Sequence, residues 1–190
     1  MHDEFDLDQE FDEMPQHMPF GALYDWMQSI VTVFIVVVFL LTFAGRTMGV
    51  HGHSMMPTLQ EGDRMVVRSA FYTPARGDII VFARHDFEDG AALVKRVIAL
   101  EGDVVDIDTT TGVIYLNGVA LDEPYAYEPV FAAGDVTYPF VVPPGHVFAV
   151  GDNRNRSLDS RHSEIGAVDE REIIGQLVAV MMPFNRAQLF

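Results

Sequence analysis

A run of twenty uncharged residues, Trp26 to Gly45, is the feature that most constrains how this chain can fold. Its centre reads IVTVFIVVVFLLTFA, so it lacks the polar face that a surface helix of a soluble protein shows. As an α-helix, twenty residues rise by about 30 Å, roughly the hydrocarbon thickness of a bilayer. Tyr24 and Trp26 stand where interfacial aromatic residues are common. We therefore expect a transmembrane anchor helix over residues 26–45.

A cleaved secretory signal peptide is the alternative for this segment. It would carry a basic n-region and a shorter apolar stretch. Residues 1–25 instead contain eight carboxylates and no Lys or Arg, so a retained anchor fits better. The carboxylates up to Glu13 follow no helical stripe, and this composition is typical of disorder. We expect residues 1–25 to form an acidic, disordered tail, with partner binding by the tail as the alternative.

After the anchor, the sequence changes to short β-rich runs bounded by Gly, Pro, Asp and Asn, a pattern that predicts strands. The Asn-Gly pair in TTTGVIYLNGVAL predicts a hairpin. The predicted fold class is therefore mainly β, with one N-terminal transmembrane helix and a β-rich domain over residues 50–190. The runs are RMVVRSAF, DIIVFARH, ALVKRVIAL, DVVDID, GVIYLNG, FVVPPGHVFAV and IIGQLVAVMM.

Charge and cysteine content exclude several classes of function. The formal net charge of −16 argues against nucleic acid as a partner, because phosphates would be repelled. The absence of cysteine excludes disulfides, thiolate metal sites and cysteine catalysis. His51 and His53 lack further ligands at a suitable spacing for a metal ion. We expect neither a metal nor another cofactor.

One lysine stands out among the basic residues. Eleven of the twelve are arginine, and Lys95 is the only lysine, within the apolar run AALVKRVI. Alternation along a strand would put Lys95 and Arg96 on opposite faces. Arginine does not lose its proton in proteins, whereas desolvation lowers the pKa of a buried lysine. Lys95 is therefore a candidate general base, with a surface lysine kept by chance as the alternative.

Two polar segments contain further candidates. GHSMMPTL places Ser54 just past the predicted anchor, and serine is a weak nucleophile until a base takes its proton. Backbone N–H groups near Gly52 could approach an oxyanion closely, because glycine has no Cβ. Residues 151–161 contain two carboxylates, two serines and three arginines within eleven positions, and their sequence is GDNRNRSLDSR. Taken alone, each segment also fits an ordinary turn or a solvated loop.

Together, these segments resemble the signature boxes of bacterial type I signal peptidases. Five boxes in this order and spacing are specific, although no single one is decisive. The resemblance runs from about Trp26 almost to the C-terminus. In chain order the boxes are SMMPTL from Ser54, GDRMVV from Gly62, RGDIIVF from Arg76, Lys95-Arg96-Val97 through Gly102-Asp103, and Gly151-Asp152-Asn153 through Arg161.

The resemblance implies a signal-peptidase-like β-sheet catalytic domain that hydrolyses one peptide bond in exported preproteins by a Ser-Lys dyad. The family cleaves after small residues at the first and third positions before the bond. Ser54 would be the nucleophile and Lys95 the general base, with the Ser54 N–H and a second donor holding the oxyanion. Some members carry a hydroxyl two residues before the nucleophile, where this chain has Gly52, so backbone or water would serve. For support, the resemblance implies that Ser157 orients the Lys95 amine, that Asp159 and Arg161 buttress that loop, and that Asp152 pairs with Arg96.

The resemblance also implies a location. It puts the chain in the bacterial cell membrane, in contact with membrane lipid, as a single-pass protein with its catalytic domain on the outer face. The charge pattern disagrees, because cation-rich flanks usually stay cytoplasmic and the nearby cations, Arg46, Arg64 and Arg68, follow the anchor. Acidic residues weigh little in that rule and large domains translocate regardless of it, so we expect the family's orientation.

Three other interpretations remain open on the sequence. A Ser-His hydrolase would use His51 or His53, but neighbours on an extended strand point away from Ser54 or to its side. A membrane-tethered β binding module would tolerate replacement of Ser54 and Lys95. A self-cleaving repressor of similar core would need a DNA-binding domain where the predicted anchor lies.

Overall fold

The computed structural model describes residues 19–43, 46–84 and 91–190. The chain divides into two compact units, Met1–Thr42 and Phe43–Phe190. The described residues of the first unit form helix α1, which spans Pro19–Phe43 and ends at the first residue of the second unit. Proline is favoured in the first turn of a helix, because the N–H that it lacks would have no partner there.

Helix α1 begins before the predicted anchor and overlaps most of it. The side chains of residues 23–37 are exposed. Within the part of the chain that the structure describes, no helix is long and apolar enough to cross a membrane. Residues 1–18 of the predicted acidic tail and residues 44–45 of the predicted anchor lie outside the described ranges. Residues 19–25, expected as the end of the disordered tail, are helical instead. The anchor and the rest of the tail stay predictions.

The second unit is mainly β, as the sequence predicts. Its strands have mixed lengths, from two residues to ten. They are β1 (Arg46–Gly49), β2 (Arg64–Arg68), β3 (Ile79–Ala83), β4 (Ala92–Ala99), β5 (Val104–Asp108), β6 (Val113–Leu116), β7 (Val119–Ala120), β8 (Phe140–Val141), β9 (His146–Val150), β10 (Val168–Asp169), β11 (Ile173–Met182) and β12 (Gln188–Leu189).

These strands form two antiparallel sheets. The larger has the order β1-β2-β11-β3-β4-β9-β10, with β12 paired to β11, and the smaller has the order β7-β6-β5-β8. Strands β6 and β7 form a hairpin whose turn is Asn117-Gly118, which confirms the predicted Asn-Gly hairpin. Strand β11 pairs with both β2 and β3, and therefore brings the two ends of the domain's sequence together.

Strand β3 lies in the middle of the core. Ile79 and Val81 pack into one apolar cluster, while Ile80 and Phe82 pack into a second. Alternate residues of a strand point to opposite faces, so both faces of β3 are covered. A third cluster joins β4 and β9 to the smaller sheet. Strand β4, which carries Lys95, is therefore held on one side by β3 and beyond Lys95 by β9.

Buried carboxylates fasten the turns between these strands. Each of three follows a glycine, is almost completely buried, and accepts two hydrogen bonds from one arginine. A buried carboxylate needs such a partner, because its transfer from water is otherwise very costly. The pairs are Asp63 with Arg186, Asp103 with Arg76, and Asp152 with Arg96.

Candidate active site

Ser54 lies in a tight turn between β1 and β2. Met55 and Leu59, which follow Ser54 in this turn, are 2% and 0% exposed and fix the turn to the core. A backbone hydrogen bond of 2.8 Å from Val50 N to Asp63 O closes the base of the loop. The position of the Ser54 side chain is therefore set by packing on one side and by backbone pairing on the other.

Lys95 reaches the same place from strand β4. It lies just before Arg96, the residue at which β9 begins to pair with β4. Its Nζ is 2.9 Å from Ser54 Oγ and 3.0 Å from Val94 O. Lys95 is 2% exposed. The structure therefore brings the two predicted catalytic side chains within hydrogen-bond distance, although 41 positions separate them in sequence.

Burial lowers the pKa of Lys95 from an ordinary value of 10.5 to about 8. The cause is desolvation, since the charged ammonium loses the water that stabilises it. Nearby charges act in both directions: Asp159 and Asp152 raise this pKa, and Arg161 lowers it. Desolvation is the largest of these effects. The amine is therefore neutral under mildly alkaline conditions, as a general base must be.

Arg96, the neighbour of Lys95, contacts a different set of groups. Its Nε and Nη2 donate to the two carboxylate oxygens of Asp152 at 2.8 and 2.7 Å, and its Nη1 donates to Gly77 O at 2.8 Å. Thr58 Oγ1 also donates to Asp152, at 2.5 Å. Both members of the ion pair are buried, so the loss of either would leave an uncompensated charge. Asp152 thus joins strand β4, which carries Lys95, to the turn that carries Ser54.

Residues 151–161, which we call the support loop, contain a second buried ion pair. Arg161 donates from Nε and Nη2 to the carboxylate of Asp159, at 2.8 Å each, and Gly151 N donates to the same carboxylate at 2.9 Å. Burial opposes ionisation of Asp159, but the hydrogen bonds and charge of Arg161 hold its pKa below the ordinary value. The ionised carboxylate closes the support loop onto its own first residue.

Ser157 packs against the first residue of the support loop. A Cβ on Gly151 would lie 2.2 Å from Ser157 Oγ and 2.5 Å from Ser54 O, so this approach requires glycine. The buried Ser157 Oγ lies close enough to the Asp159 carboxylate to help lower its pKa, but among the described residues it makes no hydrogen bond of good geometry. The two hydrogen bonds of Lys95 Nζ go to Ser54 and Val94. The predicted orienting role of Ser157 therefore stays a prediction.

The backbone near Ser54 offers a donor for an oxyanion. Within the described ranges, the Ser54 N–H has no hydrogen-bond acceptor. Gly52 adopts a φ of +83°, a conformation that glycine reaches without steric strain. The Ser54 N–H is thus free to bind a developing oxyanion. A second donor near Gly52 stays a prediction.

A cleft of about 450 Å³ opens beside the two side chains. One wall is formed by the end of β1 and the nucleophile turn, and the other by the first half of β4. Among the described strands, that half of β4 pairs with β3 alone, so its second edge is free. The lining residues are Met48, Gly49, Val50, His51, Gly52, Ser54, Met55, Met65, Val81, Ala91, Ala92, Leu93, Val94 and Lys95.

Sequence reasoning missed two residues that the structure places at this site. Asn153 donates from its backbone N to Ser54 O at 2.9 Å and from Nδ2 to His53 O at 3.1 Å. Thr58 donates to Asp152. Both residues stand inside boxes that carried the family resemblance, Thr58 in SMMPTL and Asn153 in GDN. That position was the signal available in the sequence.

The two histidines beside the nucleophile do not form a Ser-His pair. His53 Nε2 lies 3.6 Å from a carboxylate oxygen of Glu61, and both side chains are exposed. No hydrogen bond joins His51 or His53 to the Ser54 hydroxyl in the described part of the chain. In the same residues, no group of His, Asp and Glu is arranged to hold a metal ion.

Comparison with known proteins points to one family. A family model described as signal peptidase, peptidase S26, matches residues 23–182. Signal peptidase I of Bacillus licheniformis is 34% identical, covering 87% of this chain and 91% of its own. Signal peptidase I of Bacillus caldolyticus is 36% identical, covering 87% of this chain and 93% of its own. Signal peptidase IB of Staphylococcus aureus is 33% identical, covering 86% of this chain and 91% of its own.

A solved structure is also similar. The crystal structure of a signal peptidase I from Enterococcus faecalis is 32% identical, covers 57% of this chain and 100% of its own, and has a TM-score of 0.47. The family model matches most of this chain, and the two Bacillus relatives align with 87% of it at 34% and 36% identity. The chain therefore belongs to the type I signal peptidase family, and it is a peptidase.

Proposed function

We propose that this chain removes signal peptides from exported preproteins, as a membrane-anchored serine endopeptidase with Ser54 as nucleophile and Lys95 as general base. One observation carries the proposal: the Lys95 amine is buried and lies 2.9 Å from Ser54 Oγ. A lysine held so close to a serine and away from water has the lowered pKa that a base needs.

In the first half of the reaction, the neutral Lys95 amine takes the hydroxyl proton as Ser54 Oγ attacks the carbonyl carbon of the scissile bond. The resulting tetrahedral intermediate carries its negative charge on the former carbonyl oxygen. The Ser54 N–H, which has no acceptor among the described residues, stabilises that oxygen. The Lys95 ammonium then gives its proton to the leaving amine, and the C–N bond breaks.

The second half repeats these steps with water. A water molecule loses a proton to the neutral Lys95 amine and attacks the ester carbonyl carbon. The intermediate collapses, the C–O bond to Ser54 breaks, and the ammonium returns a proton to Ser54 Oγ. The signal peptide leaves with a new carboxylate, and the dyad is restored.

The support residues act on the base through charge and position. Asp159 with Arg161 and Asp152 with Arg96 are two ion pairs near the amine, each with little net charge. An unpaired carboxylate at either place would raise the pKa of Lys95 and keep it protonated. Ser157, held against Gly151, would orient the amine during proton transfer.

The cleft supports an extended substrate. The free edge of β4 before Arg96 can pair with an added strand, which is a common way to bind peptides. Residues at the first and third positions before the bond would then point to one face, toward the cleft walls. Those walls contain Met48, Met55 and Leu93. These side chains would form the shallow pockets that the family's preference for small residues implies.

The exposed apolar surface of helix α1 supports the membrane attachment that we propose. Helix α1 contains no charged residue after Asp25. Its exposed apolar side chains include Trp26 and Phe34, at 64% and 66%. Continuous apolar surface of this kind is rare on soluble proteins and is covered by lipid or by a partner. Substrates that carry signal peptides lie in the same bilayer, so an anchored peptidase would meet them there.

Replacement of the dyad provides the first test. Ser54→Ala and Lys95→Ala should each lower preprotein cleavage by about a thousandfold or more, because each removes a group that no other side chain replaces. Lys95→Arg should be equally inactive, since arginine keeps the charge but cannot accept a proton. Ser69→Ala makes the same change at an exposed serine and should have no effect. Substantial activity in Lys95→Arg would remove Lys95 as the base.

The pH dependence of cleavage follows from the lowered pKa of Lys95. Below that pKa the amine is protonated and cannot act as a base, so kcat/KM should rise with pH and reach half its maximum at a pH of about 8. This rise of kcat/KM with pH is measured from initial rates with a substrate that has no titratable group near the scissile bond. An activity that falls between mildly acidic and mildly alkaline pH would contradict the assignment.

The preference for small residues that the family implies predicts which substrates are cut. A model preprotein with Ala at the first and third positions before the bond should be cleaved, and Phe at either position should stop cleavage. Phe at the second position should be tolerated, because the side chain of that residue points away from the cleft on an extended strand. Equal sensitivity at all three positions would refute the strand-addition mode.

The orientation of the β domain has its own test. Protease added outside intact cells should degrade the domain, since we place it on the outer face of the membrane. The same treatment of cells expressing a cytoplasmic control protein shows whether the membrane stayed closed. A domain that is protected until the membrane is opened would mean that the charge pattern around the anchor, and not the family, predicts the orientation.

A further inference from the structure

The connection between β7 and β8, residues 121–139, lies along the support loop, and we call it the strap. It contains no helix or strand. Irregular connections of more than about 12–15 residues are uncommon in compact domains and are often functional. The strap follows the smaller sheet in sequence, yet its side chains and backbone bind the support loop, which follows β9.

An ion pair and a stacked ring begin this contact. Arg154 of the support loop donates to both carboxylate oxygens of Glu123, at 2.8 and 2.9 Å, and these side chains are only 1% and 13% exposed. The ring of Tyr125 lies 4.0 Å from the guanidinium carbon of Arg96, within the range of a cation–π contact. Tyr125 Oη also donates to Glu123, at 3.2 Å. Burial raises the pKa of Tyr125 to about 12, so its phenol stays neutral.

The backbone of the strap continues the contact to the far end of the support loop. Tyr127 N donates to Asp152 O at 2.8 Å, and Asp135 N donates to Arg161 O at 3.1 Å. Arg161 Nη1 donates back to Ala132 O at 3.0 Å. The strap therefore contacts both members of the Arg96–Asp152 pair, through Tyr125 and Tyr127, and Arg161 of the other pair.

A glycine shows how close this approach is. A Cβ on Gly134 would lie 2.0 Å from Arg161 O and 2.6 Å from its carbonyl carbon, so no other residue fits without displacing the strap. Gly134 also has a φ of +80°, which favours glycine. The strap is thus packed on the support loop at both ends, at Glu123 and at Gly134.

The strap does not line the cleft. Its contacts go instead to the groups around Lys95. The charged and titratable groups that face the amine are Asp159, Arg161 and Asp152, with His51 in the wall of the cleft. The strap can therefore act on the base without touching the substrate.

We propose that Tyr125 is a positioning residue for Lys95: its ring holds the Arg96 guanidinium on Asp152, so that the charge of this carboxylate near the amine stays paired. The inference rests on the proposed role of Lys95 as the general base. If the ring is lost, the guanidinium can move off Asp152, the unpaired carboxylate stabilises the ammonium, and the pKa of Lys95 moves up toward its ordinary value. Fewer molecules then hold a neutral base at a given pH.

The single lysine makes this measurable without catalysis. Full-length protein labelled with ¹³C-lysine gives one Cε resonance, and its pH titration in detergent reports the protonation of Lys95 alone. Tyr125→Leu should raise the titration midpoint by about half a unit or more, which lowers kcat about threefold below the midpoint while KM is unchanged. Tyr125→Phe keeps the ring over Arg96 and should stay at the wild-type midpoint.

Tyr127→Leu is the matched control, because Tyr127 is 56% exposed and contributes a backbone contact that leucine keeps. It should titrate as the wild type does. If Tyr125→Leu does not fold, as judged by circular dichroism, Tyr125→Met is titrated instead, since methionine adapts to irregular gaps. An unchanged midpoint in a folded Tyr125→Leu or Tyr125→Met protein, or a raised midpoint in Tyr125→Phe, would overturn the role of the ring.

The same titration separates this inference from the proposed function. If the wild-type midpoint differs from the pH at which wild-type cleavage is half-maximal, Lys95 is not the base and both proposals fall. If the two values agree but Tyr125→Leu leaves the midpoint in place, the inference about the strap falls and the dyad stands.

Discussion

The burial of one amine next to one hydroxyl is the constraint on which the rest of the site depends. A lysine removed from water becomes a base only if no unpaired carboxylate nearby restores its charge. The fold meets that condition by giving each neighbouring carboxylate an arginine, Arg161 for Asp159 and Arg96 for Asp152. The amine therefore sits among charges that largely cancel, and desolvation determines the direction of its pKa shift.

Several of the residues that carry the family resemblance form buried ion pairs that hold the turns around this amine. The carboxylates of Asp63 and Asp103 are buried, and each fixes a turn through hydrogen bonds from an arginine and from backbone N–H groups. Asp152 uses the same kind of pairing, but it also accepts from Thr58 and so reaches the nucleophile turn. At one of its three positions, the same kind of ion pair thus also joins the strand of Lys95 to the turn of Ser54.

The sequence predicts the local parts of this arrangement better than the distant ones. Short apolar runs between turn residues predict the strands, and the Asn-Gly pair predicts the hairpin at Asn117. The count of basic residues identifies Lys95 as a candidate base, because it is the only lysine. The hydrogen bonds of Asn153 to the nucleophile turn join residues about a hundred positions apart, and no periodicity encodes them. The contacts of the strap are equally invisible, because an irregular segment has no pattern from which a partner can be inferred. The start of α1 at Pro19 differs from the predicted one, since a run without charge defines apolarity and not the ends of a helix.

The choice of arginine at every other basic position has a practical consequence. Apart from the α-amino group, the chain offers amine-directed reagents one target, and that target is 2% exposed inside a cleft. Acylating agents and aldehydes too large for the cleft would leave Lys95 unmodified in the folded protein, while a small one that enters would react with a partly neutral amine. Lysine-directed reagents usually modify many surface positions of a protein, whereas here they would find a single, buried lysine.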